Sequence, residues 1–396
     1  MNPVAILSAV RTPIGRFLGS LADVPARDLG ITAARAALER ARVDPGDIRE
    51  TIFGMARQAG NGPNPARQVG IGAGVPDTAP AYTVHQACAS GLKAVALGAA
   101  QIAAEEADLV LAGGMESMTR VPYLLERARL GYRLGDSSVV DGMYRDGFHC
   151  PLADELMGAT AETLADRHHL SRKDQDEFAA ESQRRAAAAW DAGRFDDEIV
   201  PVEVSGRRGA VTFARDEHPR ADTTPEKLAK LPAVFRKDGT VHAGNSSGIT
   251  DGAAAVVLAS EALVKDRGWK PLAWIASSAA AGVDPRVMGI GPVPSTRRVL
   301  ERLGWKLRDV DLIELNEAFA AQVLAVAAEL KIDPERMNVN GGAIALGHPI
   351  GATGARILTT LVHEMKRRDA ARGIATLCVS GGMGFTMAVT GERPDA

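Results

Sequence analysis

The sequence predicts an α/β protein whose mostly parallel sheet carries helices on both faces. Short apolar runs bounded by Gly or Pro alternate with helix-periodic segments along the whole chain, which is typical of strands joined by helical crossovers. Two pairs of similar segments also suggest that one half of the chain repeats the other. Aromatic residues make up only 4% of the 396 residues, whereas there are 41 glycines. We therefore expect closely packed aliphatic strands and small-residue helices, in two or three domains.

Five apolar runs predict strands that are buried on both faces, because they show no regular polar alternation. They lie at residues 4–10, 107–112, 253–259, 310–315 and 374–379.

Five further segments predict helices from capping residues and from apolar spacing. In chain order these are a helix capped by Asp28 and running to about Arg42, one with an apolar stripe over residues 92–103, one from a Ser171/Asp174 capping box through Trp190, one over residues 317–330, and one beginning near Gly351.

The repeated unit is visible in two places. Residues 47–55 resemble residues 309–317, since each is an acidic turn followed by an apolar strand. LAGGME at residues 111–116 resembles VSGGMG at residues 379–384. The offsets of 262 and 268 residues are similar, so they predict one supersecondary unit duplicated in order.

Composition excludes several classes of function. The net charge is −3, which argues against sequence-independent electrostatic binding of nucleic acid. No apolar run approaches the 18 residues of a membrane helix, and the N-terminal residues lack the basic region of a signal peptide. The three cysteines, Cys88, Cys150 and Cys378, are too sparse for a disulfide framework or a structural metal site. We expect a cytoplasmic protein without a metal.

Residues 119–249 differ from the rest of the chain in holding many turn formers and charges. Between residues 205 and 237 there are eight Lys or Arg and four Asp or Glu. This local excess of positive charge indicates either a solvated loop or a positive lip that binds a phosphorylated ligand.

Cys88 is the first candidate catalytic residue. It lies in YTVHQACASG at residues 82–91, between a β-branched run and a helical stripe. Such a strand-to-helix turn would place the thiol at a helix N-terminus, where the dipole and free N–H groups lower a thiol pKa and hold an oxyanion. The alternative is a buried cysteine with a packing role.

His348 is the second candidate, between Gly347 and Pro349 in a glycine-rich loop that leads into a helix. That setting suits an imidazole directed into a cavity as a base for a thiol or a donor to an oxygen, although a surface-loop histidine is equally compatible. The glycines follow GxxxGxxG and therefore do not match the dinucleotide motif GxGxxG.

Cys378 and Asn316 are weaker candidates when taken alone. Cys378 ends a predicted strand before a Ser-Gly-Gly bend, where a thiol can approach a substrate but is also commonly buried. Asn316 stands where a strand passes into a helix, and capping that helix would explain it.

Seven segments together resemble the thiolases, which interconvert two acyl-CoA molecules with a 3-ketoacyl-CoA and free CoA. They occur in the family's order over nearly the whole chain: VRTPIG at 10–15, the Cys88 turn, GGMESM at 113–118, AGNSSG at 243–248, NEAF at 316–319, GGAIALGHP at 341–349 and CVSGG at 378–382.

The resemblance implies catalytic roles for five residues. Cys88 would carry the acyl group, and His348 would activate it. His348 would also form one oxyanion hole with a water held by Asn316. Cys378 would act as acid and base at the α-carbon and at the departing sulfur. The backbone N–H groups of Cys88 and Ser380 would form a second oxyanion hole, for which the side chain of Ser380 is not needed.

The resemblance also implies contacts with CoA and the acyl chain. Ser247, in a loop with Ala243 and Gly244, would meet the pantetheine arm, and Arg220 the nucleotide end. Three residues would line the acyl pocket: Met157, Met288 and Phe319. Leu156 stands where many short-chain biosynthetic thiolases have His, which argues against strict specificity for acetoacetyl-CoA. No cofactor beyond CoA as substrate and product is implied.

The family fold implies two duplicated βαβαβαββ halves in five αβαβα layers with an inserted loop domain. The N-terminal half would be residues 1–118 plus 250–270, the loop domain 119–249 and the C-terminal half 271–396, in a homo-oligomer, either a dimer or a tetramer. The chain would condense two acetyl-CoA or cleave a longer 3-ketoacyl-CoA. Alternatives are a β-ketoacyl synthase, a hydrolase using Cys88 and His348, and a non-catalytic thiolase-like protein that binds CoA esters or lipids.

Overall fold

A computed structural model describes residues 3–206 and 209–393 of the chain. Its strands, in chain order, are β1 (Val4–Arg11), β2 (Gly15–Arg16), β3 (Glu50–Gly54), β4 (Ala81–Val84), β5 (Leu109–Ser117), β6 (Tyr123–Leu124), β7 (Val140–Asp141), β8 (His149–Cys150), β9 (Glu155–Leu156), β10 (Val202–Gly206), β11 (Gly209–Phe213), β12 (Thr250–Ser260), β13 (Ala273–Gly282), β14 (Leu312–Leu315), β15 (Arg372–Val379) and β16 (Met383–Thr390).

The α-helices are α1 (Ala26–Ala41), α2 (Pro65–Gly72), α3 (Ser90–Ala103), α4 (Met157–Arg167), α5 (Arg172–Asp191), α6 (Pro225–Leu228), α7 (Glu261–Arg267), α8 (Pro292–Leu303), α9 (Ala320–Leu330), α10 (Ala343–Leu346) and α11 (Ile350–Arg368).

The main sheet contains two similar halves. Its strand order is β14-β15-β16-β13-β1-β12-β5-β3-β4. In the first half β4, β3 and β5 are parallel, and β12 and β1 follow antiparallel. In the second half β14 and β15 are parallel, and β16 and β13 follow antiparallel. The second half has one parallel strand fewer, and an isolated parallel bridge between Ile313 and Met337 stands in the corresponding place. The order of parallel and then antiparallel pairings is otherwise shared, as the predicted duplication requires.

The expected mostly parallel sheet is wrong. Only three of the eight pairings along the sheet are parallel, β3–β4, β3–β5 and β14–β15. The two halves meet through an antiparallel pairing of β1 with β13. The prediction failed because both faces of this sheet are covered. Its antiparallel strands are therefore continuous apolar runs, which are typical of parallel strands; β12, for example, is buried along its whole length.

Three apolar clusters define the five layers. The first packs one face of the first half against α1 and α2. The second packs the other face of that half, α3 and α11, against β15 and β16. The third packs α8 and α9 on the outer face of the second half. Along β1, Ala5 and Leu7 belong to the first cluster, whereas Val4 and Ile6 belong to the second. The result is the αβαβα order that the resemblance implied.

The predicted helix caps agree with the structure except at two N-termini. Ser171 and Asp174 form the predicted capping box of α5. Asp28 lies in the first turn of α1, whose N-cap is Pro25, so its predicted capping role is wrong. Asn316 does not cap α9, because that helix starts at Ala320 with Phe319 at its N-cap. No helix among the described residues is long and apolar enough to cross a membrane.

Candidate active site

Cys88 lies where the sequence placed it, in a turn between β4 and α3. A single 3₁₀ turn, Ala87–Ala89, connects the two elements. The hydroxyl of Ser90 accepts from the backbone N–H of Gln86 and donates to the carbonyl of Ala87, which stabilises the turn. Ala87 has a φ of 43°, an uncommon conformation for a residue with a side chain. The turn therefore holds the Cys88 backbone in a fixed orientation.

Two glycines bring α3 and α11 into direct contact beside Cys88. A Cβ atom on Gly91 would lie 2.9 Å from the backbone N of Ala355, and one on Gly354 would lie 2.5 Å from the backbone N of Leu92. Only glycine permits this close approach of two helix backbones. Since Cys88 precedes α3 and His348 precedes α11, the contact places both residues at one end of the central layer.

The hydrogen-bond partners of His348 favour one tautomer. Its Nδ1 lies 2.6 Å from the hydroxyl oxygen of Thr353, and that hydroxyl donates to the carbonyl of Pro349 at 3.0 Å. A hydroxyl that donates its one proton to Pro349 accepts from Nδ1–H, and this tautomer also lets Nε2 accept from the Asn316 amide. Nε2 is left as an acceptor, and the amide nitrogen of Asn316 lies 3.5 Å from it. The imidazole is therefore oriented as a base.

Burial is the main reason why the pKa of His348 is lowered to about 3, and the positive charges of Arg356 and Arg57 contribute. His348 is thus neutral in the resting site. The side-chain oxygen of Asn316 is buried without a hydrogen-bond partner among the described residues. An unpaired buried acceptor is unfavourable, so this oxygen suits a bound donor such as water.

Cys378 and Ser380 meet Cys88 from the other half of the chain. Cys378 is fully buried near the end of β15. Burial raises the pKa of its thiol, and a negative charge on the neighbouring Cys88 raises it further. The backbone N–H of Ser380 hydrogen-bonds to the sulfur of Cys88. These contacts bring the two sulfurs and the Ser380 amide, 292 residues from Cys88 along the chain, into one site.

The pKa of Cys88 contradicts the expectation from the sequence. Burial raises it to about 11, although the charge of Arg57 and the N–H groups of Ser380 and Cys88 act in the opposite direction. Desolvation therefore outweighs the helix N-terminus. The resting nucleophile is a thiol, so it has to lose its proton to a base when it reacts.

The predicted acyl-pocket residues surround Cys378. Met288, Ala318 and Cys378 form one buried cluster, against which Met157 and Phe319 pack. Met157 and Ser380 also line a cavity of about 530 Å³. The cavity and the apolar cluster therefore adjoin the site that contains both sulfurs.

The predicted CoA-binding residues lie in a loop beside the acyl cluster and in an exposed segment. The backbone N–H of Ser247 donates to the carbonyl of Ala318, which joins its loop to the wall of the acyl cluster. Ala243 and Gly244, in the same loop, are exposed and half-buried. Arg220 is exposed, its backbone N–H donates to Gln183, and the structure gives its guanidinium no ion pair within the described chain. Ser247 thus contacts the cluster that contains Cys378, whereas no hydrogen bond among the described residues joins Arg220 to the catalytic groups.

Three basic residues of the segment interact with side chains near them. Arg215 stacks on Trp190 at 4.8 Å, Lys227 pairs with Asp222 at 2.6 Å, and Arg236 pairs with Asp166 at 2.6 Å. Arg207 and Arg208, which contributed to the predicted positive lip, lie outside the described residues. Arg220, Lys230 and Lys237 are exposed and have no ion pair within the described chain, so these three members of the segment are available to an anion.

Three residues of the site were missed by sequence reasoning. Thr353 orients His348. Glu116 accepts from the backbone N–H groups of Ala56, Arg57 and Gly351, and burial raises its pKa to about 7. Arg57 lines the cavity. Glu116 could have been found from the sequence, because it is an acidic residue within the apolar run of β5. Thr353 and Arg57 have no comparable signal in the sequence.

Comparison with known proteins gives a consistent result. Residues 4–262 match the thiolase N-terminal domain, and residues 269–391 match the thiolase C-terminal domain. An acetyl-CoA acetyltransferase of Pseudomonas aeruginosa is 54% identical over 388 residues, which are 98% of this chain and 99% of that protein. An acetyl-CoA acetyltransferase of Escherichia coli is 52% identical over 390 residues, 98% of this chain and 99% of that one.

Solved structures agree. The crystal structure of the Bacillus anthracis acetyl-CoA acetyltransferase is 46% identical with a TM-score of 0.97, covering 98% of this chain and 99% of that one. The human mitochondrial 3-ketoacyl-CoA thiolase in complex with CoA is 42% identical with a TM-score of 0.95, covering 100% of this chain and 98% of that one.

Proposed function

Because the chain belongs to the thiolase family, we propose that its reaction proceeds through an acyl group carried by Cys88. The chain is an acyl-CoA C-acyltransferase, which condenses two acetyl-CoA to acetoacetyl-CoA and CoA or cleaves longer 3-ketoacyl-CoA in reverse. The observation that carries the mechanistic proposal is that distant parts of the chain meet at Cys88. Cys378 and the Ser380 amide contact it, and the close packing of α3 on α11 sets it beside His348.

In the first half-reaction the sulfur of Cys88 attacks the thioester carbonyl of an acyl-CoA. Nε2 of His348 takes the thiol proton as the S–C bond forms. The pKa values of about 11 for Cys88 and about 3 for His348 favour the neutral pair at rest, so proton transfer accompanies the attack. The N–H groups of Cys88 and Ser380 hold the carbonyl oxyanion. The bond to the CoA sulfur then breaks, and CoA leaves with the proton of Cys378.

In the second half-reaction the thiolate of Cys378 removes a proton from the α-carbon of a second acetyl-CoA. Nε2–H of His348 and a water on Asn316 stabilise the enolate oxygen. The α-carbon attacks the acyl carbonyl, and the bond from that carbonyl to Cys88 breaks. Cys88 recovers its proton from His348, so both thiols and the neutral imidazole return to their starting forms.

Binding of CoA is proposed to use the outer residues of the site. Ser247, with the backbone of Ala243 and Gly244, would hold the pantetheine arm, and Arg220 the nucleotide end. The support is the position of that loop against the acyl cluster and the unpaired guanidinium of Arg220. Met157, Met288 and Phe319 would contact the acyl chain.

The finer assignments are also proposals. They comprise the division into 1–118 with 250–270, 119–249 and 271–396, assembly as a dimer or tetramer, a cytoplasmic location, and a role in β-oxidation of fatty acids. Sedimentation of the purified chain would decide between the two oligomeric states.

Thiolysis of acetoacetyl-CoA by the purified chain tests the proposed function. Consumption of acetoacetyl-CoA should require free CoA and should yield two acetyl-CoA per substrate. Release of acetoacetate without CoA would instead indicate a hydrolase. Initial rates with 3-ketohexanoyl-CoA to 3-ketodecanoyl-CoA, compared with acetoacetyl-CoA, would establish the preferred chain length.

A further inference from the structure

Arg57 is a buried arginine whose hydrogen bonding is incomplete. It follows β3 and is only 6% exposed. Nη1 donates to the carbonyl of Ala56, but Nε is buried without a partner, and the structure gives Nη2 none within the described chain. Gly147 packs directly on this group, because a Cβ there would lie 2.9 Å from both Nε and Nη2. A purely structural buried arginine is expected to have its donors paired.

Arg57 borders the cavity that reaches the catalytic groups. Arg57 and Ser380 line the same cavity, and the amide of Ser380 contacts the sulfur of Cys88. The positive charge of Arg57 lowers the pKa of both Cys88 and His348. Among the causes that lower the pKa of Cys88, the charge of Arg57 is larger than the hydrogen bond from the Ser380 amide.

The other charged and titratable groups around Cys88 do not cancel this effect. The carboxylate of Glu116 raises the pKa of Cys88, but by less than Arg57 lowers it. Glu116 itself has a pKa raised to about 7, so near neutral pH it is partly protonated. His348 is neutral, Cys378 is a thiol, and burial lowers the pKa of His85. Arg145, Asp146 and His149 line the same cavity, but among the charges that act on Cys88 that of Arg57 has the largest effect.

We propose that Arg57 is a positioning residue for the reaction, whose fixed positive charge stabilises the thiolate of Cys88 as it forms and departs. The inference rests on the proposed role of Cys88 as nucleophile. Burial strengthens a charge–charge interaction because little water screens it. The charge acts twice in each cycle, when Cys88 loses its proton and when the acyl–sulfur bond breaks.

The test is the pH dependence of alkylation of Cys88 by iodoacetamide, followed by mass spectrometry of the Cys88 peptide. Arg57→Leu should move the profile to higher pH. A rise of one unit in the pKa of Cys88 removes about nine-tenths of its thiolate at pH 8, but a thiolate of higher pKa is more nucleophilic and recovers part of the loss. We therefore expect alkylation at pH 8 to slow by about three- to tenfold. Arg57→Lys keeps the charge and should restore most of the rate.

Arg145→Leu is the matched control. Arg145 lines the same cavity but is exposed and paired with Glu126, so its removal should leave the profile in place. Glu116→Gln removes the negative charge that raises the pKa of Cys88, so it should shift the alkylation profile to lower pH. This shift is opposite to that of Arg57→Leu, and a general loosening of the packing would not produce it.

An unchanged profile in Arg57→Leu, or equal slowing in the Leu and Lys variants, would overturn the inference. Those outcomes leave the proposed function intact if Cys88 of the unaltered chain is still acylated by acetyl-CoA. Failure of that acylation would instead remove the proposed function itself. Circular dichroism and urea unfolding of each variant show whether it is folded at the pH used.

Discussion

Replacing Thr353 with Val should impair catalysis without weakening CoA binding. The Thr353 hydroxyl accepts a hydrogen bond from Nδ1–H of His348 at 2.6 Å and donates one to the carbonyl of Pro349. Valine keeps the shape but removes this acceptor. The imidazole then either leaves Nδ1–H unpaired in a buried site or moves its proton to Nε2, where it blocks acceptance of the Cys88 proton.

The magnitude follows from the lost hydrogen bond. Leaving a buried donor without a partner costs about 1–3 kcal/mol, and each 1.4 kcal/mol corresponds to about tenfold in the population of the active tautomer. We therefore expect kcat for thiolysis of acetoacetyl-CoA to fall by about 10- to 100-fold. KM for CoA should stay within about twofold, because His348 does not hold the pantetheine arm or the nucleotide.

Thr359→Val is the matched control. Thr359 is fully buried in the same helix, α11, and its hydroxyl donates only to the carbonyl of Ala355. Initial rates and urea unfolding of both variants separate catalysis from stability, and ¹⁵N NMR of the imidazole reports the tautomer. If Thr353→Val keeps kcat within twofold, or if Thr359→Val loses as much, Thr353 does not set the tautomer of His348.

Three further outcomes are expected. Cys378→Ala should still load acetyl onto Cys88, since a thiol of pKa about 8.5 leaves readily as its anion, but should lose condensation; absence of loading by mass spectrometry would mean that its role is misassigned. Arg220→Ala should raise KM for CoA more than it lowers kcat, because its proposed contact is with the nucleotide, far from the reacting carbon; an unchanged KM would exclude that contact. The raised pKa of Glu116, about 7 against an ordinary 4.5, means that the folded chain binds more protons in that interval. Its contribution to the free energy of unfolding therefore falls as pH rises from about 4.5 to 7. Glu116→Gln should flatten this part of a plot of Tm against pH, and an unaltered slope would contradict it.

The sequence was informative where local rules decide the structure. The capping box at Ser171 depends on residues three apart, and the turn at Cys88 depends on one strand and one helix that adjoin it. Both were predicted correctly. The duplicated order of elements was also visible, because each half repeats the same local pattern.

The properties that depend on tertiary packing were not predictable. Strand direction failed because both faces of the sheet are covered. The pKa of Cys88 was expected to fall but is raised, since burial by distant segments exceeds the effect of the adjoining helix. Thr353 and Arg57 gain their roles only when α11 and the loop after β3 are brought beside the catalytic groups.

The acyl-enzyme is the most direct test of the account. The Cys378→Ala variant, incubated with acetyl-CoA alone, should release one CoA per chain in a burst. Its intact mass should increase by one acetyl group, and peptide mapping should place that group on Cys88. A burst with acetyl on another residue, or condensation by Cys88→Ser at the rate of the unaltered chain, would contradict the proposal that Cys88 carries the acyl group.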